Sequence, residues 1–147
     1  MNTKILIIED DREVVETVLL IFNYHWPEAQ VLYSYLGQGG LELARQEKPD
    51  AIILDLGLPD ISGFDVLKEI RLFSSVPVIV LTAHSAEDEI VKALEEEATD
   101  YMIKPFKHRE LLARVQSHVN QWKISEIKNM VLRDMTTNDP EKNPQEE

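Results

Sequence analysis

Three stretches of this chain are nearly unbroken in Ile, Leu and Val: KILIIE at 4–9, AIILD at 51–55 and VPVIVLT at 76–82. A strand with one wet face alternates apolar and polar residues. A run that is apolar on both sides fits a parallel sheet with helices covering each face. VLYSY (31–35) and DYMI (100–103) add two shorter strand-like runs. Amphipathic patterns fill the gaps. Asp11 stands where a cap is expected for a helix striped with Val15, Val18, Leu19 and Phe22. Leu41 and Ala44 follow a turn at Gly37–Gly40, and Phe64, Leu67 and Ile70 follow Gly63. Ile90, Ala93 and Leu94 form the fourth stripe, and Leu111, Leu112, Val115 and Val119 the fifth. This repeated alternation predicts an α/β fold: a doubly wound five-stranded parallel sheet, (βα)5, with right-handed crossovers.

The strand-like runs end in polar residues. Glu9 and Asp10 close the first, Asp55 the third, Thr82 the fourth and Lys104 the fifth. In an open parallel sheet those ends share one edge, where ligands bind near the switch in strand order. Singly, each residue has an ordinary explanation as a helix cap, loop cap, strand end or turn. Together they make a site. Crowded carboxylates repel one another and favour a proton or a cation between them. Oxygen ligands without His or Cys suit a hard cation, and a few carboxylates with open positions suit Mg²⁺. With Lys104 and Thr82 alongside, a phosphoryl group would spread its charge over a cation, an ammonium and a hydroxyl. Asp55 is then the nucleophile, accepting phosphoryl as an acyl phosphate.

Composition narrows the setting. The 147 residues suffice for one domain with a sizeable core and an appendage. The absence of Cys removes disulfides, thiolate metal sites and thiol nucleophiles. No run reaches the roughly 18 apolar residues of a membrane span, and the acidic pair in MNTKILIIEDD comes too early for a secretory leader. A soluble, cytoplasmic protein without membrane contact is expected. A net charge of −12 argues against direct nucleic-acid binding by this chain. Three segments are expected: a main domain over 1–121, a helical extension over 122–135, and an acidic disordered tail over 136–147. The tail carries Asp139, Glu141, Glu146 and Glu147 against Lys142.

The ordered set ILIIEDD, IILDLGLPDISG, VIVLTA and DYMIKPF resembles the receiver domain of two-component response regulators, from about residue 3 to about residue 120. KPFKHRELLARV is most similar to receivers of the winged-helix transcription-factor class, the OmpR/PhoB type. The resemblance implies a CheY-like fold with strand order 2-1-3-4-5. It implies that Asp55 takes phosphoryl from a phosphohistidine on a sensor histidine kinase or phosphotransfer protein. Asp10 and Asp55 would ligate Mg²⁺ directly with the Gly57 backbone carbonyl, and Glu9 would act on the metal through water. Thr82 and Lys104 would bind phosphoryl oxygens. Tyr101 matches the aromatic switch position, turning inward as Thr82 moves, and Lys104–Pro105 matches a bond that is usually cis. Such a protein is a phosphoacceptor switch that promotes its own phosphorylation and dephosphorylation, and not an enzyme otherwise. Gly57 and His84 occupy positions that tune hydrolysis in relatives.

Two departures fall in ALEEEATDY: Glu97 stands where relatives usually have Gly, and Thr99 where Asp is common. If Glu97 needs a positive φ, that turn is reshaped or strained. Residues 86–100 carry seven acids against Lys92, and residues 104–133 carry seven Lys and Arg against Glu110 and Glu126. The fourth and fifth helices, flanking one edge strand, thus offer opposite charges for a two-fold homodimer, or simply two solvated faces. The resemblance makes Asp100 and Arg114 one cross-subunit ion pair of such a dimer, whereas Ile90 replaces a basic partner. His84, His108 and His118 share no metal spacing and are expected at the surface. Beyond Val119, Trp122, Ile124, Ile127 and Val131 continue the last helix without a clean heptad; the extension projects as an arm, packs on a partner, or frays.

The output alternatives stay open at this level. Read as complete, the chain is a single-domain receiver acting through its 86–105 surface. Read as the receiver part of a DNA-binding transcription regulator, it lacks an output domain, because some 27 residues after Asn120 are too few for one. A metal-dependent phosphohydrolase would want a second Asp two residues after Asp55, where Gly57 stands. A phosphate-independent docking module would tolerate an incomplete pocket.

Overall fold

The computed structural model describes residues 2–83 and 86–137. The strands β1 (Thr3–Ile8), β2 (Ala29–Ser34), β3 (Ala51–Leu54), β4 (Val78–Thr82) and β5 (Asp100–Ile103) alternate with five helices. These are α1 (Arg12–His25), α2 (Gly37–Glu47), α3 (Gly63–Phe73), α4 (Glu87–Glu95) and α5 (His108–Thr137). All strand pairs are parallel, in the order β2-β1-β3-β4-β5. This is the doubly wound arrangement expected from the alternation, with a long last helix.

Alternate residues of the central strands feed two cores, which is why those runs are apolar on both sides. Ile5, Ile7, Ile53, Ile79 and Leu81 pack with Val15, Val18 and Phe22 of α1 and with Leu111, Val115 and Val119 of α5. Leu6, Ile8, Ile52, Leu54 and Val78 pack with Leu41 and Ala44 of α2 and with Val66, Leu67 and Ile70 of α3. A much smaller cluster, Leu56, Val80 and Ala93, lies under α4.

The glycines at 37 and 40 are part of helix α2 and do not form the turn that their spacing suggested. Their role is close approach. A Cβ at Gly40 would stand 2.5 Å from Ile8 Cδ1, and one at Gly37 would stand 2.6 Å from Ile61 Cγ1. The helix begins where Asp60, reaching from the β3–α3 loop, accepts the Gly37 and Gln38 amides at 2.8 and 2.9 Å. Those bonds hold the Asp60 carboxyl below its ordinary pKa, the Gln38 amide contributing most.

Glu97 does take a positive φ, of 69°. It ends α4 in a Schellman-type cap: the Glu97 amide donates to the Leu94 carbonyl and the Ala98 amide to the Ala93 carbonyl, both at 3.0 Å. Arg71 of α3 clamps this turn. Its Nε donates to the Glu97 carbonyl at 2.9 Å, one terminal nitrogen donates to the Val76 carbonyl at 2.6 Å, and the other reaches Thr99 Oγ1. Thr99 Oγ1 in turn accepts the Val78 amide at 3.0 Å. The two departures in this segment are therefore held by side-chain bonds from a neighbouring helix.

Helix α5 continues without a break through Thr137, two residues into the segment expected to be an acidic tail. Residues 138–147 of that tail and His84 lie outside the described residues.

Candidate functional site

The reversal in strand order falls between β1 and β3, and the candidate residues follow the ends of those strands. The register pairs Ile8 with Leu54, so Glu9 and Asp55 leave the sheet side by side. The Asp55 amide donates to the Ile8 carbonyl at 3.0 Å, and the Glu9 amide to the Ser34 carbonyl at 3.0 Å. On the other side the register pairs Thr82 with Ile103, and the Lys104 amide donates to the Thr82 carbonyl at 2.8 Å. Sheet pairing thus carries four of the expected residues to one place.

Gly63 closes the loop behind Asp55. Its amide donates to the Leu56 carbonyl at 2.9 Å, and a Cβ there would lie 2.4 Å from both the Asp55 carbonyl oxygen and Leu56 Cα. Only a residue without a side chain lets the start of α3 sit against the strand end. Ser62 caps that helix by accepting the Phe64 amide. On the β1 side Asp11 accepts the Glu13 amide at 3.0 Å, the cap expected for α1.

Carboxylate oxygens of Glu9, Asp10 and Asp55 all lie within 4.8 Å of one another. Glu9 and Asp55 are buried, whereas Asp10 is exposed. Lys104 Nζ donates to Glu9 Oε1 and stands 3.8 Å from Asp55 Oδ1. The other Glu9 oxygen accepts the Asp11 amide at 3.1 Å. Burial pushes the Glu9 carboxyl up to about 7, the negative charge of Asp55 adding to the rise while Lys104 and the Asp11 amide oppose it. One ammonium thus leaves the cluster with surplus negative charge. An all-oxygen donor set of that kind suits a hard divalent cation, and Glu9, Asp10 and Asp55 are the residues that would hold it.

Thr82 is fully buried at the end of β4. Tyr101 is half-buried and packs on the Leu56–Val80–Ala93 cluster, next to the site. Burial raises its phenol pKa, with the charges of Glu89 and Asp55 adding to the effect. Gly57 is exposed in the loop two residues after Asp55, and the Lys104–Pro105 bond is cis, as the family pattern implied.

The structure corrects the expectation for His118, which is half-buried: its Nε2 lies 3.0 Å from Asp100 Oδ2. Arg114 donates to the other Asp100 oxygen at 2.7 Å. Asp100 and Arg114, expected as partners across subunits, are here paired within one chain. Asp60 and Gly63, which brace the loops around the site, lie within the IILDLGLPDISG motif without a role assigned to them there, and Arg71 lies outside every motif.

The response regulator receiver domain family matches residues 5–116, and the chain belongs to it. Over 119 residues the chain is 40% identical to the transcriptional regulatory protein KdpE of Mycobacterium tuberculosis, covering 81% of this chain and 52% of that protein. Over 121 residues it is 35% identical to the DNA-binding response regulator MtrA of the same species, covering 82% and 52%. Among solved structures, the BeF3-activated DrrB receiver domain superposes with a TM-score of 0.74 at 30% identity, covering 82% of this chain and 99% of that one. The chain spans about half the length of the curated relatives it matches. Among the described residues, no helix is long and apolar enough to cross a membrane.

Proposed function

We propose that the chain is a phosphoacceptor switch in which Asp55 receives a phosphoryl group from a phosphohistidine on a sensor histidine kinase or phosphotransfer protein. The observation that carries this reading is the juxtaposition of three carboxylates within 4.8 Å and an ammonium 3.8 Å from Asp55. An Asp55 oxygen bonds phosphorus as the phosphorus–nitrogen bond breaks, and the leaving imidazole keeps the electron pair. Bound Mg²⁺ would supply charge neutralisation for the phosphoryl oxygens. Its ligands in this proposal are Asp10, Asp55 and the Gly57 carbonyl, with Glu9 acting through water. Lys104 leaves Glu9 for a phosphoryl oxygen, and the Thr82 hydroxyl donates to another. Apart from promoting its own phosphorylation and hydrolysis, the chain catalyses nothing on this reading.

The switch runs outward from there. Thr82 moves towards the phosphoryl group, Tyr101 follows into the space it leaves, and the 86–105 surface changes shape. That surface then alters partner binding, or pairs two copies through α4, β5 and α5. Arg114 exchanges the Asp100 of its own chain for that of the second copy. We divide the chain into a receiver domain over 1–121, a helical extension that starts at 122 and that α5 carries past 135 to Thr137, and an acidic tail for the rest, acting in the cytoplasm.

A second reading, favoured by the span of about half the relatives' length, makes the chain the receiver part of a DNA-binding transcription regulator. Both readings share one test. Intact mass after incubation with acetyl phosphate and Mg²⁺ should rise by one phosphoryl group in the parent and not in Asp55→Asn. An unmodified parent, or equal modification of the variant, would refute the assignment.

A further inference from the structure

We infer that the arm formed by residues 122–137 of α5 pairs with the same arm of a second copy in antiparallel orientation, independently of phosphorylation. Over residues 122–137 the helix continues for some 24 Å at 1.5 Å per residue. Ile124, Ile127, Met130, Val131, Leu132 and Met135 are each half to two-thirds exposed. An isolated helix of this length is marginal in water, and one so apolar needs a covering surface. Among the described residues, its own domain leaves these side chains half or more exposed. Trp122, Glu126, Met130 and Arg133 face an open groove of about 850 Å³ beneath the sheet. Ile124, Ile127, Val131 and Met135, spaced 3-4-4, form a stripe turned the other way, with only Ile127 reaching the groove.

Charge favours a second copy as the occupant, and the area makes the contact a weak one. The four stripe side chains offer on the order of 400 Å² per copy, so two arms bury about 800 Å², the size of a weak specific contact. The chain as a whole repels a copy of itself through its net charge of −12, but the arm carries Lys123, Lys128 and Arg133 against Glu126 and Asp134. It is one stretch where two copies meet without acidic repulsion.

The flanking charges choose the orientation. At 100° per residue, Lys123 and Asp134 fall on one flank of the stripe and Lys128 on the other; within one chain Lys123 Nζ donates to Thr3 Oγ1 at the edge of the groove, a bond that pairing exchanges for the second copy's carboxylate. A parallel pair sets Lys123 beside Lys128 of the second copy. An antiparallel pair with Ile127 opposite Val131 of the second copy sets Lys123 beside Asp134 of the second copy, at both ends of the contact.

Light scattering on the 147-residue chain, at tens of micromolar, tests the pairing. The parent and Asp55→Asn should both be dimers. Ile127→Asp combined with Val131→Asp should weaken association by roughly 100-fold or more, while helicity and Asp55 phosphorylation stay as in the parent. Cysteine cross-linking tests the orientation in a chain that has no Cys of its own. Ile127→Cys and Val131→Cys should cross-link when mixed and not when alone, because like positions in the antiparallel pair lie beyond disulfide reach. A monomeric parent, a dimer that survives the arm variant, or cross-linking of either single variant with itself would overturn the proposal. A dimer lost only in Arg114→Glu would instead belong to the α4–β5–α5 face and would overturn it equally.

Discussion

Helices α3 and α4 flank the same acidic cleft, yet they are held very differently. Helix α3 buries Gly63, Val66, Leu67 and Ile70, and the Ser62 side chain caps its start. Helix α4 buries only Ala93, has no side-chain cap, and leaves Val91 and Leu94 exposed. Its end is a non-glycine residue in the left-handed region, tied down by Arg71 from α3. Burial sets how much a segment loses on opening, so α3 belongs to the global fold and α4 to the low-stability side. On the proposed reading, a phosphoryl group at Asp55 needs to bias only the weaker of the two, and the rigid wall aims the acceptor while the loosely held one reports on it.

The sharpest way to break this contrast is a matched pair of truncations. Leu67→Ala should cost about 3 kcal/mol in urea unfolding, as expected for a fully buried leucine, and Leu94→Ala should stay within about 0.5 kcal/mol of the parent. Equal costs would erase the distinction. Gly63→Ala should fall near the larger value, because the nearest atoms to the new methyl are backbone.

Smaller changes refine the loosely held side. Glu97→Gly should stabilise the domain by about 0.5–1 kcal/mol in the same measurement, since glycine relieves the left-handed conformation at some entropic cost. No gain would mean that the Arg71 clamp already offsets the strain.

A titration separates the two walls from the pocket between them. With its pKa raised from 4.5 to about 7, Glu9 holds a proton in the metal-free fold that the unfolded chain gives up. Its contribution to stability is therefore fully present below pH 4.5 and is lost as pH rises through about 7. Mg²⁺ affinity, followed by calorimetry, should rise across the same window as the proton leaves. Flat stability and flat Mg²⁺ affinity between those values would contradict the burial argument. Glu9→Gln should remove both slopes.

Much of this was legible in the residues, for a physical reason. A strand buried on both faces must be apolar throughout, so Glu9, Asp55, Thr82 and Lys104 stood out as the points where burial gives way to chemistry. Parallel pairing then carries strand ends together whatever their distance along the chain. What stayed hidden depends on neighbours that no local pattern names. Gly37 and Gly40 resembled turn glycines because nothing nearby announces Ile61 and Ile8 pressing on the helix. His118 resembled a surface residue because its partner, Asp100, lies on another element. Arg71 has no local pattern to mark it, although three of its nitrogens bind the loops beyond α3 and α4.

Amide hydrogen exchange resolved by segment, with acetyl phosphate and Mg²⁺ added to the parent and to Asp55→Asn, tests the central claim most directly. The account predicts that α4 and β5 exchange faster than α3 before phosphorylation, that their rates change on phosphorylation while α3 does not, and that the variant responds in neither place. Equal protection of the two helices, or a response in α3 alone, would contradict it.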